Sequence, residues 1–128
     1  MKIRIPAEWE PHACCWMAWA VHAEWGKSVN KVKRELSEIV QTISRYEPVR
    51  LLAPRGNTLR EAQKVFYSCS NVTIVEAPVD DIWMRDIAPT FALCGPDHDI
   101  IAIDWNFNGW GGTKERPPRH GDKLWSAP

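Results

Sequence analysis

"SVNKVKRELSEIVQTISRYEPVRLLA", Ser28 to Ala53, is the stretch that decides the layering of this chain. Its apolar residues return as Val29, Val32, Leu36, Ile39, Val40, Ile43 and Tyr46. That spacing of three and four predicts a helix over 28–46 with one buried stripe. Lys31, Lys33, Arg34, Glu35 and Glu38 fill the wet face, and Pro48 closes the helix. "VRLLA" at 49–53 then reads as a short strand. A helix feeding directly into a strand is the repeating unit of α/β layering.

Working outward, the same alternation holds on both sides. "ACCWMAWA", 13–20, is short and almost wholly apolar, and reads as a buried strand. After Ala53, Asn57 is placed to cap a second helix carrying Leu59, Ala62, Val65, Phe66 and Cys69 on one stripe. "VTIVE", 72–76, is a third strand. The pattern then changes: "PTFAL" (89–93) and "IIAID" (100–104) are strands joined by the turn-rich "CGPDHD". The segment after Asp104 has no periodicity and reads as loop. No linker or low-complexity tract divides the chain, so a single domain over 1–128 is expected.

Composition narrows the function classes. At 128 residues the chain has room for one real core. Lys plus Arg and Asp plus Glu are 16 each, a formal net charge of zero. Nucleic acid or an anionic membrane surface would favour a basic excess, so neither is expected as a partner. No apolar run approaches the roughly 20 residues of a membrane span, and "MKIRIPAEWEP" lacks the apolar core of a secretion signal. A cytoplasmic location is therefore the default, with Cys14, Cys15, Cys69 and Cys94 as reduced thiols. Eight tryptophans cluster as Trp9, Trp16, Trp19 and Trp25, and as Trp83, Trp105, Trp110 and Trp125. Core packing with partnered indole N–H groups is the plain explanation, but it accounts poorly for clusters in loops.

"DDIWMRD", Asp80 to Asp86, holds three carboxylates, an arginine, a methionine and a tryptophan between Pro78 and Pro89. A guanidinium is flat, permanently charged, forks two N–H donors onto a carboxylate and stacks on aromatic faces. Asp86 with Trp83 suits such a ligand, and Asp80 and Asp81 could act from the other end. The plain alternative is a self-paired loop, with Arg85 satisfying one of these carboxylates and "WMRD" serving as a packing hinge. "DWNFNGWGG", 104–112, poses the same choice between a ligand-facing loop and an Asn/Gly turn held by Trp105 and Trp110. Both stretches lie just beyond strand ends, where α/β proteins bind ligands. Zinc fits poorly: His12, Cys14, Cys15 and His22 include no C-x-x-C pair, and adjacent cysteines on a strand face opposite ways. "APRGNT" lacks the full phosphate-loop pattern.

Three blocks together, "IPAEWEPHACCWMAW", "DDIWMRDIAPTF" and "IAIDWNFNGWGG", resemble the N-terminal part of the agmatine deiminase and bacterial (porphyromonas-type) peptidylarginine deiminase family in order and spacing. The resemblance runs from about Ile5 to about Asp122. It implies a pentein-type fold, an α/β propeller of five ββαβ units, of which this chain would hold the first one and a half to two. It implies hydrolysis of a guanidinium C–N bond with release of ammonia and no metal or organic cofactor. The substrate would be agmatine or peptidyl-arginine. A cysteine thiolate attacks the guanidinium carbon, a histidine moves protons, and carboxylates position the cation. Asp86 matches the substrate-binding carboxylate of "WMRD", Trp83 the pocket wall, and Trp110, with Asp80, further lining.

The chain also departs from the family pattern. The family's H-x-D segment and its Gly-rich block with the nucleophilic cysteine have no counterpart here. The context of Cys14, Cys15, Cys69 and Cys94 does not match the nucleophile, nor that of His12 and His22 the base. An incomplete deiminase domain, inactive by itself and prone to self-association through open sheet edges, is therefore expected. Two rivals from other classes are a cation-binding module that leaves its ligand unchanged and an assembly element that completes another subunit.

Overall fold

The computed structural model describes residues 3–105, 107, 109 and 111. Two compact units emerge, one of residues 13–84 and one combining 1–12 with 85–128. The first is the α/β layer that the 28–53 stretch predicts. It contains β2 (Cys15–Ala18), a 3₁₀ segment (Ala23–Ser28), α1 (Val29–Ile43), β3 (Val49–Ala53), α2 (Asn57–Val65) and β4 (Val72–Glu76). The second contains β1 (Ile3–Arg4), β5 (Thr90–Cys94) and β6 (Asp99–Ile103), while the one-turn helix α3 (Met84–Ile87) spans the change from one unit to the other.

In residues 13–84 the three strands are parallel in the order β2-β3-β4. Cys15 faces Val49 and Ala18 faces Leu52, while Val49 faces Val72 and Ala53 faces Glu76. With a partner on each side, β3 buries Val49, Leu51, Leu52 and Ala53 fully, and only Arg50 of the strand is exposed. Trp19, Leu36, Val40, Ala62 and Phe66 complete the core around Val49, Leu51 and Ala53. Trp19 meets Phe66 edge-on, with centroids 5.2 Å apart and planes at 88°, a favoured aromatic geometry.

The helices depart from expectation in instructive ways. α1 is shorter than 28–46, because Ser44 and Tyr46 close a final turn onto Val40 and Ile43. Leu36 and Val40 are buried, but Ile39 and Tyr46 stand exposed, so the apolar stripe is wider than the face the sheet covers. Asn57 does not cap α2. Gly56 holds that position at φ 102°, and the Asn57 side chain instead accepts from Arg60 at 2.6 Å. A positive φ of this size is open to glycine and strained for other residues.

The second unit carries an antiparallel sheet in the order β1-β5-β6, with Ile3 opposite Cys94 and Thr90 opposite Ile103. The β5–β6 hairpin falls where "CGPDHD" predicts it. Gly95 and His98 take positive φ at its two corners. The pairing of β1 leaves no mark in the sequence, since two residues are too few to show alternation. The 80–86 stretch, expected as loop throughout, runs into the helical turn α3. No helix among the described residues is long and apolar enough to cross a membrane.

Candidate functional site

The parallel strands end together, and the segments leaving their C-terminal ends form a pocket of about 210 Å³. Ala20 and His22 come from the segment after β2, Pro54 from the turn after β3, Thr58 from the first turn of α2, and Asp80 from the segment after β4, with Lys33 from α1. This is the strand-end location the sequence pointed to. Among the four residues expected to bind a ligand, Asp80 lines this pocket. Trp83 is not one of its lining residues.

Internal bonds account for much of the pocket wall. Lys33 Nζ donates to both oxygens of Glu61, at 2.6 and 2.9 Å, and Trp19 Nε1 donates to the same carboxylate at 3.2 Å. Lys33 is therefore a half-buried strut, not the solvated residue its helical position suggested. His22 Nδ1 accepts from the Glu24 backbone N–H at 3.2 Å and so caps the 3₁₀ segment. Sequence reasoning did not place His22, Lys33 and Thr58 in one pocket. The position of His22 and Thr58 just beyond parallel strands is the signal that could have done so.

Along "DDIWMRD" each residue has a distinct fate. Asp81 is fully buried and its Oδ1 accepts from the Ile82 N–H at 2.8 Å, so it secures the entry to α3. Trp83 is 45% exposed. Arg85 does not pair within the stretch: its guanidinium forms an ion pair with Glu8, Nη2 to Oε1 at 2.7 Å. Asp86 is exposed and has no side-chain partner among the described residues. Trp110 lies outside the described residues, while Trp105 donates its indole N–H to Thr90 Oγ1 at 2.8 Å.

Two of the cysteines sit in surroundings that hold back thiol chemistry. Burial pushes the Cys15 thiol up, and the charge of Glu47 and the neighbouring Cys14 add to that, so the reactive thiolate is disfavoured. Cys94 is buried on β5.

A family model for Porphyromonas-type peptidyl-arginine deiminase matches residues 4–126. The chain belongs to that family. Within the Porphyromonas-type deiminase family, the agmatine deiminase of Pseudomonas aeruginosa is 36% identical over 110 residues, covering 85% of this chain and 29% of its own length. The agmatine deiminase of Medicago truncatula is 33% identical over 119 residues, covering 87% and 31%. Among solved structures, C. jejuni agmatine deiminase superposes with a TM-score of 0.76 at 22% identity, over 97% of this chain and 35% of that one. The fold of this stretch is thus shared with that structure, and the chain spans less than a third of the length of these two curated relatives.

Proposed function

We propose that this chain is the N-terminal part of an agmatine deiminase domain and contributes to its cation grip. In this reading Asp86 accepts the forked N–H donors of the guanidinium and Trp83 offers a stacking face. Asp80 and Trp110 belong to the same lining. The reaction is hydrolysis of agmatine to N-carbamoylputrescine and ammonia, which serves putrescine formation in the cytoplasm. One observation carries the reading: the Asp86 carboxylate stays open to a cation while the adjacent Arg85 is bound to Glu8. The substrate is taken from the named activity of the relatives. Peptidyl-arginine is the second reading, favoured by the description of the matching family model.

By themselves these 128 residues are proposed to bind the cation and leave it intact. The nucleophile and base are assigned to the part of the longer relatives that the chain does not span, because none of Cys14, Cys15, Cys69 and Cys94 fits the role. The chain is also proposed to self-associate, since β6 pairs only with β5 among the described residues and its Ile100 is 73% exposed. Incubation of the purified chain with agmatine or a peptidyl-arginine substrate is expected to release no ammonia. Calorimetry is expected to show agmatine binding that Asp86→Asn weakens about tenfold or more, as for loss of a charge-assisted bond. Ammonia release would overturn the inactivity, and an unchanged affinity in Asp86→Asn would overturn the grip.

A further inference from the structure

We infer that Glu8 is a positioning residue that holds Arg85 away from Asp86, so that the chain's own guanidinium does not occupy the place of the substrate's. The inference rests on the reading that Asp86 binds a guanidinium. Arg85 carries the same planar cation as the proposed ligand and is covalently next to the carboxylate that would receive it. A tethered competitor of this kind acts at an effective concentration on the order of mM, however dilute the chain is. Neighbouring residues on a helix point apart. Yet α3 is a single turn, and the Arg85 side chain is 83% exposed, free to reach back unless it is held elsewhere.

The holding post is well built. The Ala7 N–H donates to Glu10 Oε1 at 2.7 Å and the Glu10 N–H donates to Ala7 O at 3.0 Å, closing the 7–10 turn in both directions. Arg4 clasps Glu10 through one guanidinium nitrogen, 2.7 Å from each carboxylate oxygen. Arg4 in turn lies on β1, paired with Leu93 of β5. Glu8 projects from this braced turn and forms an ion pair with Arg85 at 2.7 Å. A fixed post reduces the entropy lost on pairing, which is what makes an exposed ion pair persist. Its use would be to set where Arg85 goes, since an exposed pair adds little to stability.

The experiment monitors agmatine binding to the 128-residue chain by the carboxyl carbon signal of Asp86, in wild type, Glu8→Gln, Glu8→Asp, Arg85→Gln and the double variant Glu8→Gln/Arg85→Gln. Glu8 and Arg85 are both exposed, so the substitutions leave the fold intact. An exposed pair between released Arg85 and Asp86 corresponds to an equilibrium constant of about one to five. The Glu8–Arg85 pair is exposed too and withdraws only part of Arg85, so Glu8→Gln is expected to raise the half-saturating agmatine concentration about 1.3- to threefold. Glu8→Asp should bind like wild type, and Arg85→Gln and the double variant like wild type or up to about twofold better. The restoration is decisive, because general damage at Glu8 would not be repaired by removing Arg85. Equal binding by wild type and Glu8→Gln overturns the inference while Asp86 keeps its role, as does a double variant no better than Glu8→Gln. An Asp86 signal unmoved by agmatine in wild type and in the double variant overturns the grip itself and the inference with it.

Discussion

In residues 13–84 the central strand hides four of its five residues from solvent: Val49, Leu51, Leu52 and Ala53 are all fully buried between two parallel neighbours and the helices, and Arg50 is exposed. The antiparallel sheet of the other unit keeps far less hidden. Its buried apolar residues among those described are Ala92 and Cys94, with Ile87 on α3, while Ile3, Phe91 and Ile100 remain exposed. Charged pairs lie at the surface of both units, Arg55–Glu76 and Lys31–Glu35 among them, but one cluster reaches further in. In the parallel unit Glu61 gathers Lys33 and the Trp19 indole at the margin of the core. In the antiparallel unit the ion pairs Arg4–Glu10 and Arg85–Glu8 lie at the surface. Stability is thus concentrated in one unit, and the surface pairs of the other govern placement more than folding.

The sharpest way to break this contrast is to cut into β3. Leu51→Ala is expected to cost about 2–5 kcal/mol in urea unfolding, whereas Ile100→Ala on β6 should change stability by less than about 0.5 kcal/mol. Equal effects would mean the two sheets carry comparable cores. Gly56→Ala comes next, at about 1–3 kcal/mol, because φ 102° lies where side chains are strained. Glu61→Ala should cost about 1–2 kcal/mol by stranding the Trp19 N–H and Lys33, with its half-exposed setting holding the figure down. A shift in near-ultraviolet circular dichroism from the Trp19–Phe66 pair would accompany it.

The smallest effect is the one that acid should bring to the 7–10 turn. The Arg4 hydrogen bond, with that from the Ala7 N–H, holds the Glu10 carboxyl below its usual 4.5 despite some opposing desolvation. A carboxyl lowered on folding contributes stability above its unfolded value and loses it as pH falls through the folded one. Hydrogen exchange at the Ala7 N–H should therefore show no loosening from neutral pH down to about that value. Below it, exchange should show extra loosening that Glu10→Gln abolishes. Loosening that begins near neutrality would point to another group.

Periodicity decides how much of this is legible in the sequence. The α1–β3 stretch buries one stripe of α1 and most of β3, and the strands at 15–18 and 72–76 and the β5–β6 hairpin are apolar runs bounded by turn residues, which leaves a pattern in the chain. β1 leaves none, being held by β5 through two backbone partners only. The Asn57 cap fails because Gly56 can adopt a backbone no side chain readily takes, and the helix start moves to it. Within "DDIWMRD" the residue types announce a guanidinium, but the sequence does not say which acid claims Arg85. That partner, Glu8, is far away along the chain and shows no pattern that links it to Arg85. Lys33 is hidden for the same reason, while His22 and Thr58 are marked only by following parallel strands.

The central position of β3 also bears on how these residues acquire their fold. Val49 must meet Val72, 23 positions later (72 − 49), and Cys15, 34 positions earlier (49 − 15). The entropic difference between closing two such loops is only about 0.3 kcal/mol, so neither closure has a decisive head start. Whichever neighbour docks first leaves one border of Leu51 and Leu52 bare until the second arrives. During that interval a nascent chain offers an apolar ribbon to any other strand in reach, and refolding yield should fall as protein concentration rises.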